Sequence, residues 1–139
     1  MAYRQRLDKK FKDFQRALDK ILELSHKDLE KEILYEVTAK RLEYTFEILW
    51  KLTKLLLEAK GLLCYSPLEC FKALYQEGLI DEKLYKNLVH LTRMRNTIVH
   101  VYDFSTAEYI YIYTIKELKE LLVNIREVLA REINKLIDM

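Results

Sequence analysis

ILYEVTAKRLEYTFEILWKLTKLLLEAKG, residues 33–61, decides the fold. Val37, Tyr44, Ile48, Leu49, Leu52, Leu55, Leu56 and Ala59 recur at helical spacing, which predicts a long helix over about 33–60. Gly61 follows directly, where a left-handed residue closes a helix. Phe46 and Trp50 widen the apolar set beyond one stripe. A helix that buries more than one face sits between neighbours or packs on another chain. This is the expected central helix.

The pattern continues on both sides. Tyr3, Leu7, Phe11, Phe14, Leu18, Ile21 and Leu22 form one stripe of a first helix over about 2–24, with Lys9, Lys10, Lys12, Asp13, Arg16, Asp19 and Lys20 on its wet face. Ser25 and His26 interrupt it. Asp28 is placed to cap the next helix, and 29–35 allows a separate short helix. Ser66-Pro67-Leu68-Glu69 is a capping box, with proline at the first helical position and Glu69 reaching back to the Ser66 amide. That helix stops at Gly78, and Asp81 starts another that carries Leu84, Tyr85, Leu88, Val89, Leu91 and Met94 toward His100. Ser105-Thr106-Ala107-Glu108 reads as a second capping box, opening a last helix that runs through Leu118, Leu121, Leu122, Ile125, Leu129, Ile133 and Ile137. Tyr109-Ile110-Tyr111-Ile112-Tyr113 alternates like a strand. The cap before it and the helical period after it favour helix. The expected fold is all-α, an up-and-down bundle of four to five helices, with residues 1–139 forming one domain.

Composition excludes several alternatives. Two glycines and one proline in 139 residues cannot supply the turns of a β-sandwich or the glycine-rich turn of a dinucleotide-binding fold. Twenty-four Lys plus Arg against 22 Asp plus Glu leave a formal charge of +2, so any nucleic-acid contact must come from a local basic site. No secretory signal or bilayer-spanning run is present, and the expected location is the cytoplasm. Cys64 and Cys70, six apart and lacking a CxxC arrangement, read as reduced thiols of a cytosolic chain. No metal-ligand or cofactor motif is present, so neither metal nor cofactor is expected.

Chemistry concentrates in residues 93–103, which hold Arg93, Arg95, Asn96, His100, Tyr102 and Asp103. Cleaving RNA without a metal needs a group near neutral pKa to take the 2′-hydroxyl proton, which a histidine provides. It also needs a permanent cation on the phosphate oxygens, for which guanidinium is suited. Asn96 and His100, four apart, share a helix face. Arg95 and His100, five apart, diverge by about 140° on an ideal helix. They converge only if the helix loosens, if the arginine wraps round, or if a second subunit completes the site. Each residue also has an ordinary role open to it: His100 at the last helix carbonyls, Arg95 on a surface carboxylate, Tyr102 over the core.

Arg95-Asn96-Thr97-Ile98-Val99-His100-Val101-Tyr102 resembles the R-x4–6-H-x-Y signature of HEPN domains. Residues 41–51, with Glu43, Glu47, Trp50 and Lys51, resemble a block of the nucleotidyltransferase substrate-binding branch of that family. Ser66-Pro67, Ala73 and residues 77–81 are similar to a further segment, and the likeness spans about 5–130. Leu42 and Tyr85 depart from the branch, where Phe and Trp are usual. The resemblance implies a homodimer whose paired R…H residues face one cleft. It implies a toxin of a toxin–antitoxin pair, a metal-independent endoribonuclease with Arg95 and His100 catalytic and Asn96 orienting the phosphate or the imidazole. Its antitoxin would be a minimal nucleotidyltransferase that modifies Tyr102. Glu47 is expected to pair with Arg95, with Glu43, Trp50, Lys51 and Asp103 in support. The alternative the family offers is a non-catalytic substrate-binding subunit of a two-component nucleotidyltransferase.

Overall fold

The computed structural model describes residues 2–26, 28–100 and 103–136, except the side chains of Ala2, Ser25, His26, Val99, His100 and Phe104. The described residues are helical apart from short connections. The order is α1 (Ala2–Leu22), a 3-10 turn (Glu23–His26), α2 (Lys31–Ala59), α3 (Pro67–Gln76), α4 (Glu82–His100), α5 (Phe104–Tyr113), a π-helical turn (Thr114–Leu118) and α6 (Lys119–Lys135). The π turn joins α5 to α6 without a break, so five helical rods make an all-α bundle.

Packing follows the periodicity. Leu7, Phe14, Leu18 and Ile21 of α1 are fully buried, while Tyr3, Phe11 and Leu22 lie at the margin of the core. The α2 helix packs on α1, α3, α4, α5 and α6. Leu55, Leu56 and Leu57 are all buried although successive residues point about 100° apart, so that stretch of α2 is enclosed over most of its circumference. Each fully buried leucine contributes about 1.5–3 kcal/mol. Buried Thr38, Thr53, Thr92 and Thr114 turn their hydroxyls onto the carbonyl four residues back, which lets them sit in the core without an orphaned donor. At the far end of α2, Lys60 reaches Glu132 of α6 at 3.1 Å, and Lys135 closes on the same carboxylate at 3.1 Å.

The helix ends show where local chemistry competes. Gly61 (φ +84°) and Gly78 (φ +73°) each end a helix in the left-handed region. The next amide returns to a carbonyl five residues back, Leu62 to Leu57 and Leu79 to Leu74. Ser66 accepts from the Glu69 amide at 3.3 Å, but Glu69 reaches back to the Tyr65 amide at 2.8 Å, one residue earlier than the box predicts. The last helix is capped by Asp103, which accepts from the Thr106 amide at 2.8 Å, rather than by Ser105. A carboxylate is the stronger acceptor, and Ser105 is thereby drawn into the first turn.

Two further expectations are corrected. Residues 29–35 do not form a separate helix, and Asp28 caps nothing. The α2 helix starts at Lys31 behind Glu30, which gives no side-chain cap, because Tyr35 and Ala39 already dock in the bundle. The cysteines are not free thiols but a Cys64–Cys70 disulfide. The Ser66 turn brings their Cα atoms to 5.2 Å with both residues inside the core, and that proximity overrides the compartment argument from sequence.

Candidate functional site

The site is built where the C-terminal half of α4 crosses α2. The two helices pack together, α4 burying Leu88, Leu91 and Met94 and α2 burying Leu42, Phe46 and Leu49. Arg95 Nη2 donates to Glu47 Oε1 at 2.6 Å. The other Glu47 oxygen accepts from Trp50 Nε1 at 3.3 Å and lies 3.6 Å from Lys51 Nζ. The guanidinium carbon stands 5.5 Å from the Phe46 ring centroid, and Nη1 donates to Asn96 Oδ1 at 3.3 Å. A guanidinium stays charged, so one shielded by a ring must be paired. Only Nε, turned inward, lacks an acceptor.

The structure therefore brings together Arg95, Asn96, Glu47, Trp50 and Lys51. Glu43, one turn earlier on α2, lines a cleft of about 590 Å³ with Val37, Lys40, Tyr44 and, from α4, Ile98. That cleft opens beside the motif. Asp103 is committed elsewhere: the Thr106 amide holds its carboxyl below the usual carboxylate range while it caps α5. The backbone of α4 stays α-helical through His100. A regular helix offsets positions 95 and 100 by about 140°. The His100 side chain and Tyr102 lie outside the described residues.

A second feature was not anticipated. Between α4 and the α5–α6 rod lies a groove of about 650 Å³, lined by Lys83, His90, Tyr113 and Arg131 among others. Tyr113 is 4% exposed, and its hydroxyl has no hydrogen-bond partner. Burial pushes that phenol well above its ordinary range, so it remains a protonated donor. His90 stands edge-on to its ring at 5.2 Å. The π turn begins at the next residue, and such turns often mark functional sites. In the sequence Tyr113 is merely the last of three alternating tyrosines.

Among the described residues, no three His, Cys, Asp or Glu side chains gather to hold a metal ion, and no helix is long and apolar enough to cross a membrane. The family described as nucleotidyltransferase substrate binding protein like matches residues 7–131. This chain belongs to that family. Its fold is similar to that of a Thermus thermophilus protein of known crystal structure, with a TM-score of 0.74 and 25% identity over 86% of this chain and 98% of that one. No curated protein matches the sequence. No local spacing rule links residues 47 and 95, so their contact is set by how α4 packs on α2.

Proposed function

We propose that this member of the nucleotidyltransferase substrate-binding family is the cytoplasmic toxin partner of a separate minimal nucleotidyltransferase, and that as a homodimer it cleaves RNA without a metal. The observation that carries this reading is the guanidinium of Arg95, gripped by Glu47 and Asn96 at a half-open surface on the helix that leads to His100. In the reaction the RNA 2′-hydroxyl attacks the neighbouring phosphorus as an imidazole of His100 takes its proton. The 2′-oxygen–phosphorus bond forms and the 5′-oxygen–phosphorus bond breaks, and the 5′-oxygen leaves with a proton from an imidazolium. Arg95 stabilises the charge on the non-bridging oxygens. Because α4 stays regular, the histidine that meets Arg95 on one phosphate comes from the second subunit, or the arginine wraps toward its own. Tyr102 is the modification target. Its phenol oxygen attacks the α-phosphorus of a nucleoside triphosphate on the partner enzyme, pyrophosphate leaves, and the added phosphate repels RNA from the cleft.

The test pairs two readouts on purified protein. His100→Ala abolishes cleavage of a short RNA in EDTA while leaving co-purification with the nucleotidyltransferase intact. Wild-type protein that cuts no RNA contradicts the reading.

The second reading, a non-catalytic subunit that holds substrate for the nucleotidyltransferase, is favoured by the polar groove lined by Lys83, His90 and Arg131. Under it, nucleotidyl transfer to a bound acceptor falls with His90→Ala and is indifferent to His100→Ala.

A further inference from the structure

Glu47 does not end the chain of contacts that starts at Arg95. Its second oxygen holds the indole of Trp50, and the next turn of α2 places Lys54 Nζ 5.9 Å from the Trp50 ring centroid. The same ammonium lies 5.8 Å from the ring centroid of Tyr65. One cation thus lies near two aromatic rings, one of which is tied through Glu47 to a guanidinium. Tyr65 is 68% exposed, yet its backbone is anchored. Its amide is held by Glu69, and its neighbour Cys64 is bonded to Cys70 of α3. A lone exposed tyrosine needs no explanation. One pinned at both sides and linked through a lysine and a tryptophan to an arginine is a different matter.

We infer that Tyr65, Lys54 and Trp50 form a stacking track that guides single-stranded RNA to Arg95. The inference rests on the nuclease reading for its substrate and extends it to residues outside the motif. A single strand alternates flat base faces with phosphates, and a surface that alternates rings with cations matches it, as non-sequence-specific single-strand binders do. Base faces in a duplex are already stacked, so a duplex does not fit. Three carboxylates near the track are engaged: Glu47 by Arg95 and Trp50, Glu69 by the Tyr65 amide, and Glu58 by Tyr3 of α1. Lys51, half-exposed beside Glu47, adds a second ammonium along the path. Glu47 and Lys54 are about 10 Å apart along the helix axis, the span of about three stacked nucleotides.

Trp50 is the only tryptophan of the chain, so its fluorescence reports on the track directly. The probe is a ten-nucleotide 2′-O-methyl RNA, which has no free 2′-hydroxyl and is not cut, beside its duplex with a complementary strand. The single strand is expected to quench Trp50 saturably. Tyr65→Ala should weaken its binding about tenfold, Tyr65→Phe should retain it, and the duplex should bind poorly. Absence of quenching, equal binding by Tyr65→Ala, or equal binding of the duplex overturns the track. Cleavage of ordinary RNA is scored separately. Protein that binds the probe through Tyr65 but cuts nothing keeps the track and loses the nuclease. Protein that cuts RNA with KM unchanged in Tyr65→Ala does the reverse.

Discussion

Arg95 and Tyr113 both carry shielded polar groups on helices that pack against α2, yet their surroundings differ in kind. Arg95 spends Nη2 on Glu47 and Nη1 on Asn96, with the Phe46 ring beneath it. The Tyr113 hydroxyl, buried beside the groove between α4 and the rod, has no partner. Permanence of charge explains the contrast. A guanidinium cannot shed its proton, so partial burial compels a carboxylate, and Glu47 in turn is fixed by Trp50. A phenol remains neutral, and leaving it unpaired costs about 1–3 kcal/mol, which a bundle of this size tolerates. The Arg95 side chain is therefore held in one place, whereas the Tyr113 hydroxyl is left unpaired.

The largest effect expected from this contrast is on the braced side. Glu47→Gln keeps the shape but removes the charge that aims Arg95, and a displacement of about 1 Å at a reacting group lowers rate about hundredfold. RNA cleavage by Glu47→Gln should fall by that order, with the melting temperature lowered by only a few degrees because the pair is half-exposed. Undiminished cleavage means that Arg95 needs no brace.

Next in size is the disulfide beside the track. Closing so short a loop stabilises the fold by about 2 kcal/mol, so Cys64→Ser with Cys70→Ser should lower the urea-unfolding free energy by that much. A loss near zero means that the pair does not constrain the unfolded chain.

The open side predicts a gain. Tyr113→Phe removes the unsatisfied hydroxyl and should stabilise the fold by about 1 kcal/mol, read as a melting point a few degrees higher. A loss of stability instead indicates that the hydroxyl already has a partner.

The smallest effect is the acid limb of stability. Burial raises the Glu132 carboxyl, but hydrogen bonds from Lys60 and Lys135 outweigh it and hold the group below its ordinary range. The amide of Thr106 does the same for Asp103. The folded chain thus binds fewer protons than the unfolded one. These contributions are complete above the unfolded carboxylate values of about 4 and fade as pH falls through the lower folded values. Glu132→Gln should flatten the fall of stability below about pH 4 in urea titrations at stepped pH. An unchanged slope assigns the acid limb to other carboxylates.

Much of the architecture was legible because it rests on local rules. The α1 stripe, the girth of α2, the Ser66-Pro67 start and the Gly61 and Gly78 stops follow from spacing and backbone freedom. The Asp103 cap was misplaced because Asp103 and Ser105 compete for overlapping first turns, and acceptor strength decides between them. The start of α2 depended on Tyr35 docking, where its ring lies 5.2 Å from that of Tyr111, and no local signal carries that contact. The Arg95–Glu47 pair spans 48 residues and came from family likeness alone. The π turn and the Tyr113 groove were illegible, since both arise from how α5 and α6 settle on the bundle. The angular separation of Arg95 and His100 was calculable from spacing, and the regular α4 preserves it.

The most direct measurement is end-group analysis of a short RNA incubated in EDTA with wild-type protein and with Arg95→Ala. The account predicts fragments with 2′,3′-cyclic phosphate and 5′-hydroxyl ends from the wild type and none from Arg95→Ala. Intact RNA in both reactions, or equal cutting by both proteins, contradicts it.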